Sequence, residues 1–297
     1  MSTEIFQEHR GLLTGVAYRI LGSVADAEDV VQEAWLRWAG VDHATVEDAK
    51  AYLIRVTSRL AVDRLRWARS RRESYVGPWL PEPIGTTPDA AERAELTDTV
   101  ELALLVVMET LSPLERAVFV LREAFDLPFA EIAEVVGRSE AATRQLARRA
   151  RDHVSDRRPR FDTDRARRRD ITERFVSAST SGDLDGLIAL LSQDVTLVGD
   201  GGGRARSPFR VLAGREKVSR FLTAVTTAEE MGKFMVSAGV EERAHLEIAV
   251  TELNGAPGVM FVAAGRVVAA VSLVISDGKV DTVYVMVNPD KLGHLTA

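Results

Sequence analysis

Arginine side chains recur at helical spacing between residues 138 and 151, and guanidinium groups held in such a pattern bind phosphates and base edges. The segment 128–151 reads PFAEIAEVVGRSEAATRQLARRAR. A helix-turn-helix is predicted from three signals in this segment: apolar residues at helical spacing, Gly137 where a tight turn is needed, and Ser139 as the cap of a new helix. The second helix has the form that enters a major groove. The alternative is an ordinary helical hairpin with a solvated basic face.

We expect one face of this second helix to contact DNA. Arg144, Arg148 and Arg149 are suited to phosphate or guanine, and Glu140 can accept a hydrogen bond from a cytosine amine. The helical spacing predicts that Glu140, Thr143, Arg144, Arg148 and Arg151 face outward. The residues expected to make the contact are Ser139, Glu140, Thr143, Arg144, Arg148 and Arg149.

A second basic block lies earlier in the chain, although the net charge is -6. Residues 50–72 hold eight basic side chains and one acidic one, and residues 138–160 hold eight against three. The segments before them are acidic: residues 1–49 hold nine acidic and three basic side chains, and residues 73–137 hold thirteen and three. The alternation suits a protein that holds a polyanion with two helices and offers acidic faces to a basic partner. Chance clustering on solvated helices is the alternative.

Helices must position these residues in the first half of the chain. They are predicted at about 4–21, 25–39, 46–72, 96–111 and 114–125, before the helix-turn-helix. Residues 75–90, YVGPWLPEPIGTTPDA, hold four prolines and two glycines and are predicted to form a linker without regular structure. Residues 155–169 are polar and arginine-rich and are interpreted as a connector.

After about residue 170 the pattern changes to helices followed by strands. Helices are predicted at about 171–181, 184–191 and 214–226, and strands at about 195–200, 245–253, 259–264, 266–276 and 279–287. Asn254 with Gly255, and Asp277 with Gly278, supply hairpin turns. This order predicts an α+β domain whose curved antiparallel sheet wraps around its helices.

Composition narrows the classes of function. The chain has 297 residues, 46% of them apolar, enough for at least one core and more readily two. It has no cysteine, which excludes disulfides, thiolate zinc sites and a cysteine nucleophile and fits a reducing cytoplasm. The start lacks a signal-peptide pattern and the longest apolar run is too short to span a membrane, so a cytoplasmic protein is expected.

Three ordered motifs resemble the sigma-70 family, specifically the extracytoplasmic-function sigma factors. They are DAEDVVQEAWLRW at 26–38, AYLIRVTSRLAVDRLR at 51–66 and LSPLERAVFVLREAFDLPFAEIAEVVG at 111–137. SGDLDGLIALLSQDVTLVGDGG at 181–202 is similar to the SnoaL-like cone-shaped fold. With WLPEP at 79–83 and NPDKL at 288–292, the chain resembles the SigJ-like sigma factors that carry a fused SnoaL-like domain.

The resemblance implies a multidomain chain of two all-α sigma domains followed by an α+β SnoaL-like cone. The expected ranges are 1–72 for the region 2 helical bundle, 73–95 for the proline-rich linker, 96–155 for region 4 with its helix-turn-helix, 156–169 for the basic connector and 170–297 for the SnoaL-like regulatory domain.

Partners and roles follow from the same resemblance: core RNA polymerase and promoter DNA. An acidic helix is expected to dock on the polymerase, and its charge suits a basic helical partner. Its expected contact residues are Asp26, Glu28, Asp29, Gln32, Glu33 and Trp35. The basic helix after it is expected to recognise the minus-10 element and capture an unstacked base, through Arg55, Arg59, Arg64 and Arg66. The helix-turn-helix residues are expected to recognise the minus-35 element.

The C-terminal domain is expected to regulate the factor in cis. The residues expected to make regulatory contacts are Trp79, Asp200, Gly201, Gly202, Asn288, Pro289 and Asp290. Trp79 is equally consistent with a surface patch on a neighbouring domain. No cofactor, metal site or membrane contact is expected, the free protein is expected to be a monomer, and a small-molecule ligand of the C-terminal domain is left open.

Two other functions stay open. One is a ligand-gated DNA-binding regulator that does not join polymerase, and the other is a SnoaL-like isomerase or cyclase with an appended DNA-binding module. The available acid and base candidates are Asp194, Asp200, His245 and Asp277, but no catalytic constellation is visible among them. We therefore expect no enzymatic activity.

Overall fold

The structure, a computed structural model, describes residues 2–86, 101–157 and 164–296. The chain forms two compact units, which we name the helical unit (Met1–Ser74 and Pro88–Arg158) and the C-terminal unit (Tyr75–Thr87 and Pro159–Ala297). The first part of the predicted linker therefore belongs, by its contacts, to the C-terminal unit. Residues 87–100 and 158–163, which include parts of both predicted connecting segments and the start of the helix predicted at 96–111, lie outside the described residues.

The helical unit consists of short and long α-helices packed on one another. Its helices in the described residues are α1 (Ser2–Leu21), α2 (Val24–Ala39), α3 (Ala49–Arg72), α4 (Leu102–Met108), α5 (Pro113–Glu123), α6 (Phe129–Val136) and α7 (Glu140–Arg157). Helices α1, α2 and α3 pack together and correspond to the first predicted domain. Helices α5, α6 and α7 form the second, with Ile132 and Ala150 completely buried.

Local capping chemistry explains where these helices begin. Ser112 and Glu115 form a reciprocal capping box with Pro113 in the first turn of α5. Gly137 ends α6 in a left-handed conformation, φ 63° and ψ 47°, which glycine adopts without steric cost. Ser139 Oγ then accepts a hydrogen bond from Ala142 N at 3.3 Å, so the predicted cap of α7 is confirmed.

A buried arginine network joins the two groups of helices within the helical unit. The Arg116 side chain is 1% exposed and pairs with one carboxylate oxygen of Glu109, while Arg72 of α3 pairs with the other. Arg116 Nε also donates to the Arg19 carbonyl at 3.1 Å, and Arg72 Nη2 donates to the Leu21 carbonyl at 3.0 Å. Burial lowers the pKa of Arg72 from its usual value. Glu109 thus connects α3 to α5 through charge pairs withdrawn from water.

The C-terminal unit is an α+β fold, which confirms the predicted class. Its elements are α8 (Arg165–Ser181), α9 (Leu184–Leu190), β1 (Leu191–Asp200), β2 (Leu212–Ala213), α10 (Arg215–Val225), α11 (Ala228–Ser237), β3 (Leu246–Leu253), β4 (Ala256–Ala263), β5 (Arg266–Ser276) and β6 (Lys279–Met286). The strand order is β2-β1-β6-β5-β4-β3. A core that includes Phe175, Leu187 and Val218 of the helices and Val271 and Val283 of the sheet lies between the two layers.

Strands β3 to β6 form the antiparallel meander that the sequence predicts, with Asn254 and Asp277 at positive φ in the hairpin turns. Three features differ from the prediction. Strand β1 pairs with β6 in parallel, helix α11 has no counterpart in the sequence reading, and α8 already begins at Arg165, inside the range interpreted as a connector. The parallel pair joins residues 86 to 89 positions apart, and periodicity carries no information about such pairing. Across the described ranges, no helix has the length and apolar content to cross a membrane.

Candidate functional sites

The acidic residues of α2 form a solvent-facing stripe, because the opposite side of this helix carries the buried residues Val30, Val31 and Ala34. Glu28, Asp29, Gln32 and Glu33 are exposed, and Asp26 is half-buried. Trp35 is half-buried and packs edge-on against Phe6 of α1, with 5.1 Å between ring centroids. We call the set Asp26, Glu28, Asp29, Gln32 and Glu33 the acidic stripe.

Arg64 of α3 is hydrogen-bonded to the acidic stripe. Its Nε donates to Asp26 Oδ1 at 2.9 Å, and its Nη2 donates to Asp29 Oδ2 at 2.8 Å. The hydrogen bond to Asp26, followed by the nearby carboxylate charges, raises the pKa of Arg64. This residue was expected among the minus-10 contacts, whereas the structure places its guanidinium beside the residues expected to bind polymerase.

The other three arginines of the predicted minus-10 group lie on a different side of α3. At about 100° per residue, Arg59 and Arg66 lie within about 40° of Arg55, whereas Arg64 lies about 180° away from it. Arg55 Nη1 bonds Glu134 Oε2 at 2.7 Å, and Arg59 Nη2 donates to the Glu134 carbonyl at 2.8 Å. Both partners therefore come from α6, the first helix of the helix-turn-helix. Arg66 pairs with Asp63 of its own helix at 3.0 Å.

The recognition helix α7 presents most of its predicted contact residues to solvent. Ser139, Glu140, Arg144, Arg148 and Arg149 are all exposed. Arg144 pairs with Glu140 one turn away, and its guanidinium lies 4.9 Å from the centroid of the Phe129 ring. Arg148 and Arg149 lie at longer range from carboxylates, 3.9 Å from Asp152 and 3.7 Å from Glu115.

The prediction that Thr143 faces outward is wrong. Its side chain is completely buried, and its hydroxyl donates to the Ser139 carbonyl at 3.0 Å. The position lies one turn after the cap of α7, in a helix that packs against both α5 and α6, and a small side chain fits this buried place.

In the C-terminal unit, the regulatory residues predicted from three separate segments meet around Asp200. This carboxylate, at the end of β1, is completely buried. Its Oδ1 accepts from the Tyr75 hydroxyl at 2.5 Å, and its Oδ2 accepts from Leu80 N at 2.8 Å and from Lys291 Nζ at 2.7 Å. Lys291 Nζ also donates to the Leu80 carbonyl at 2.6 Å and lies 3.9 Å from the centroid of the Trp79 ring. We name this arrangement the Asp200 clamp.

Backbone geometry brings the glycine loop and the C-terminal motif to the clamp. Asn288 Nδ2 donates to the Tyr75 hydroxyl at 2.8 Å, while Asn288 Oδ1 accepts from Asp290 N at 3.1 Å and so begins the 3₁₀ turn Pro289–Lys291. Gly202, at φ 57°, lies so close to Asn288 and Tyr75 that any side chain there would collide with both. Gly201 is similarly closed in by the Ala205 carbonyl.

A second contact holds the following residues of the same segment. Asn254, at the β3–β4 turn, is completely buried; its Oδ1 accepts from Ile84 N at 3.0 Å, and its own N donates to the Ile84 carbonyl at 2.8 Å. Gly85 bridges to Leu253, and Thr86 N donates to the Glu252 carbonyl at 3.0 Å. Residues 75–86 are therefore fastened at two places, although they have almost no regular secondary structure.

Sequence reasoning missed Tyr75, Lys291 and Asn254 as members of this site. Lys291 stands inside the NPDKL motif, which was a usable signal, but a lysine is ordinarily assigned to the surface. Asn254 was identified only as a turn residue, and nothing local indicates that its amide also bonds residues 170 positions earlier. Of the acid and base candidates for catalysis, Asp194, His245 and Asp277 are exposed, and none of them lies in an apolar pocket.

A helix-turn-helix with an exposed basic helix, a second basic helix and an acidic stripe define a DNA-binding transcription factor fused to an α+β domain. Residues 5–71 match the family model of sigma-70 region 2, and residues 101–154 match that of sigma-70 region 4. The ECF RNA polymerase sigma factor SigJ of Mycobacterium tuberculosis is 41% identical over 98% of this chain and 93% of its own length. The chain belongs to the extracytoplasmic-function (ECF) RNA polymerase sigma factors.

One further relative and one solved structure match nearly the whole chain. The probable ECF RNA polymerase sigma factor SigI of Mycobacterium tuberculosis is 32% identical over 98% of this chain and 95% of its own length. The crystal structure of the SigJ sigma factor of that organism superposes with a TM-score of 0.76 at 37% identity and covers 97% of both chains. The resemblance and the fold class predicted from the sequence motifs are thereby confirmed.

Proposed function

We propose that this sigma factor joins core RNA polymerase, directs it to promoters through minus-10 and minus-35 contacts, and is regulated in cis by its C-terminal unit. The observation that carries the regulatory part is the capture of residues 75–86, which follow α3 along the chain, by the Asp200 clamp and Asn254. The C-terminal unit thereby holds the segment that connects the two sigma regions.

Polymerase binding is assigned to the acidic stripe of α2, with Trp35 supporting it from the α1 side. Several carboxylates on one exposed helix face attract a basic partner and steer its association, while the buried side of α2 fixes their orientation. Reversing two of the exposed charges, Asp29→Lys with Glu33→Lys, is expected to abolish co-purification with core polymerase. Glu241→Lys, a reversal of an exposed charge in the C-terminal unit, is the matched control.

Promoter recognition is assigned to two surfaces. Arg55, Arg59 and Arg66 on one side of α3 suit the minus-10 strand, and Arg144, Arg148 and Arg149 with Ser139 and Glu140 suit the minus-35 duplex. Because Arg55 and Arg59 both bond Glu134 of α6, these two contacts must separate before α3 can bind DNA. Binding to polymerase and promoter therefore competes with the contacts that Arg55 and Arg59 make with Glu134 inside the helical unit.

Regulation in cis follows from chain connectivity. A C-terminal unit that holds residues 75–86 shortens the free length of chain between α3 and α4, and so limits how far the two sigma regions can separate. Transcription from the cognate promoter with core polymerase tests this, comparing wild type with Asp200→Asn. A change in promoter-dependent transcription by the Asp200→Asn variant supports the proposal. If this variant changes neither the transcription nor the distance between the two sigma regions, the proposal is contradicted.

The remaining assignments belong to the same proposal. We propose a monomeric, cytoplasmic protein without enzymatic activity. Region 2 comprises residues 1–72, region 4 residues 96–155 and the SnoaL-like domain residues 170–297. Residues 75–86, which the Asp200 clamp and Asn254 hold, belong functionally to the SnoaL-like domain. A small-molecule ligand would have to act through the C-terminal unit; its signature would be a ligand-dependent change in transcription that Asp200→Asn removes.

A further inference from the structure

Two large apolar side chains are exposed beside the acidic stripe. Leu36, near the end of α2, is 65% exposed, and Trp67 of α3 is 53% exposed. Helices α2 and α3 run antiparallel, because the Trp38 and Tyr52 rings meet at 5.7 Å at one end and Arg64 bonds Asp26 and Asp29 at the other. Leu36 and Trp67 therefore lie toward opposite ends of the two-helix surface.

A groove between the two helices extends from Leu36 to Arg64, whose guanidinium lies beside Trp67. It is lined by Asp29, Val30, Gln32, Glu33, Leu36, Arg37, Leu60, Asp63 and Arg64. Ten residues separate Asp26 from Leu36, which is about 15 Å at 1.5 Å per residue. The surface is therefore acidic in the middle and apolar toward each end.

The Arg64 side chain contacts both Trp67 and the acidic stripe. Its guanidinium bonds Asp26 and Asp29 and lies 5.6 Å from the centroid of the Trp67 ring. On α3, Trp67 lies about 120° from Arg55, outside the arginine side assigned to the minus-10 strand. The groove beside Trp67 is lined by Asp29, Glu33 and Asp63 against two arginines, so its charge as a whole favours a basic protein partner over DNA.

We infer that the polymerase-docking surface spans both α2 and α3, with Leu36 and Trp67 as its apolar contacts and Arg64 as a positioning residue that holds Asp26 and Asp29. The inference rests on the proposed binding of core polymerase by the acidic stripe. The occupant is a polymerase helix with basic residues in its middle and apolar residues three to four turns apart, because Trp67 lies about 4.5 Å beyond Arg64 along α3, which adds to the about 15 Å between Asp26 and Leu36. Arg64 is thereby removed from the minus-10 contacts.

The affinity of the full-length protein for core polymerase tests the inference. Trp67→Ala and Arg64→Ala are each expected to weaken binding about tenfold or more, since exposed tryptophans beside charged groups are typical binding hot spots. Trp67→Phe, which keeps most of the apolar area, should retain intermediate affinity. Val236→Ala, at a 59% exposed apolar position on α11, is the matched control and should bind as the wild type does.

A second readout separates docking from DNA contact and from misfolding. In transcription assays, raising the polymerase concentration should restore output for Trp67→Ala and Arg64→Ala, because their defect lies in assembly of the holoenzyme. The defect of Arg66→Ala should persist at saturating polymerase, because Arg66 belongs to the minus-10 side of α3. Thermal unfolding of each variant is measured alongside. Trp67→Ala, at an exposed position, should change it little, and Arg64→Ala, at a half-buried position, is compared in affinity at a temperature where the variant is folded.

Two outcomes would overturn the inference. If Trp67→Ala and Arg64→Ala bind polymerase as tightly as the wild type while Asp29→Lys with Glu33→Lys does not, docking is confined to α2 and the proposed function stands. If their transcription defect persists at saturating polymerase, Trp67 and Arg64 act on DNA. Normal polymerase binding by the doubly reversed variant would instead refute the proposed function itself.

Discussion

Replacing Lys291 by methionine should release residues 75–80 from the C-terminal unit. The change keeps much of the apolar stem but leaves the completely buried Asp200 carboxylate without its ammonium partner. It also removes the hydrogen bond from Nζ to the Leu80 carbonyl and the cation close to the Trp79 ring. Breaking a buried ion pair from one side costs about 3–5 kcal/mol, because the remaining charge stays desolvated.

A cost of that size raises the population of the opened segment by about 150-fold to 5,000-fold. Amide hydrogen exchange measures it directly at Leu80 N, which donates to Asp200 Oδ2. Ile84 N, held by Asn254, should keep more of its protection in the same variant. Because the lost contacts are coupled, their separate energies are not summed.

The matched control is Lys233→Met, an exposed lysine of α11 that pairs with Glu229 and Glu230. Exposed pairs contribute about 0–1 kcal/mol, so this variant should keep the wild-type free energy of unfolding and the wild-type exchange at Leu80. Adding Asp200→Asn to Lys291→Met removes the uncompensated charge and should recover part of the loss. If Lys291→Met is within about 1 kcal/mol of the wild type and Leu80 exchanges no faster, the clamp does not hold the segment.

Three further predictions concern the pH response, the turn and the arginine network. Burial and the hydrogen bond to a carboxylate raise the pKa of Tyr75, so its contribution to stability is complete below about pH 10 and declines as the pH rises further. In urea unfolding at rising alkaline pH, the free energy of unfolding should fall more steeply for the wild type than for Tyr75→Phe, and equal slopes of this free energy against pH would contradict the prediction. Gly137→Ala, at φ 63°, should destabilise the helical unit by about 1 kcal/mol in thermal unfolding and weaken minus-35 binding, whereas Gly293→Ala, which has open space around it, should be close to neutral. Glu109→Gln leaves the Arg116 guanidinium buried without a counter-charge and should cost about 3–5 kcal/mol of the unfolding free energy of the helical unit; a loss below about 1 kcal/mol would show that the network contributes little.

Much of the local structure could be predicted from sequence because its causes lie within a few residues. The capping box at Ser112 and Glu115, the left-handed Gly137 and the turn at Asn254 depend on short-range hydrogen bonds and backbone sterics. The α+β class also followed from the order of helices and strands. The segments that meet at the Asp200 clamp were also named from the sequence, but only through its resemblance to known motifs.

The sequence by itself determined the identity of the family, the helical positions of the arginines and the exposed acidic face of α2. Tertiary structure decided which partner each charged side chain has. Arg64 bonds the acidic stripe, Arg55 and Arg59 bond Glu134, and Lys291 bonds the buried carboxylate of Asp200. These pairs join residues 35 to 91 positions apart. Charged side chains default to the surface in any sequence reading, and only the packing of whole elements determines which of them lose water and must find one another.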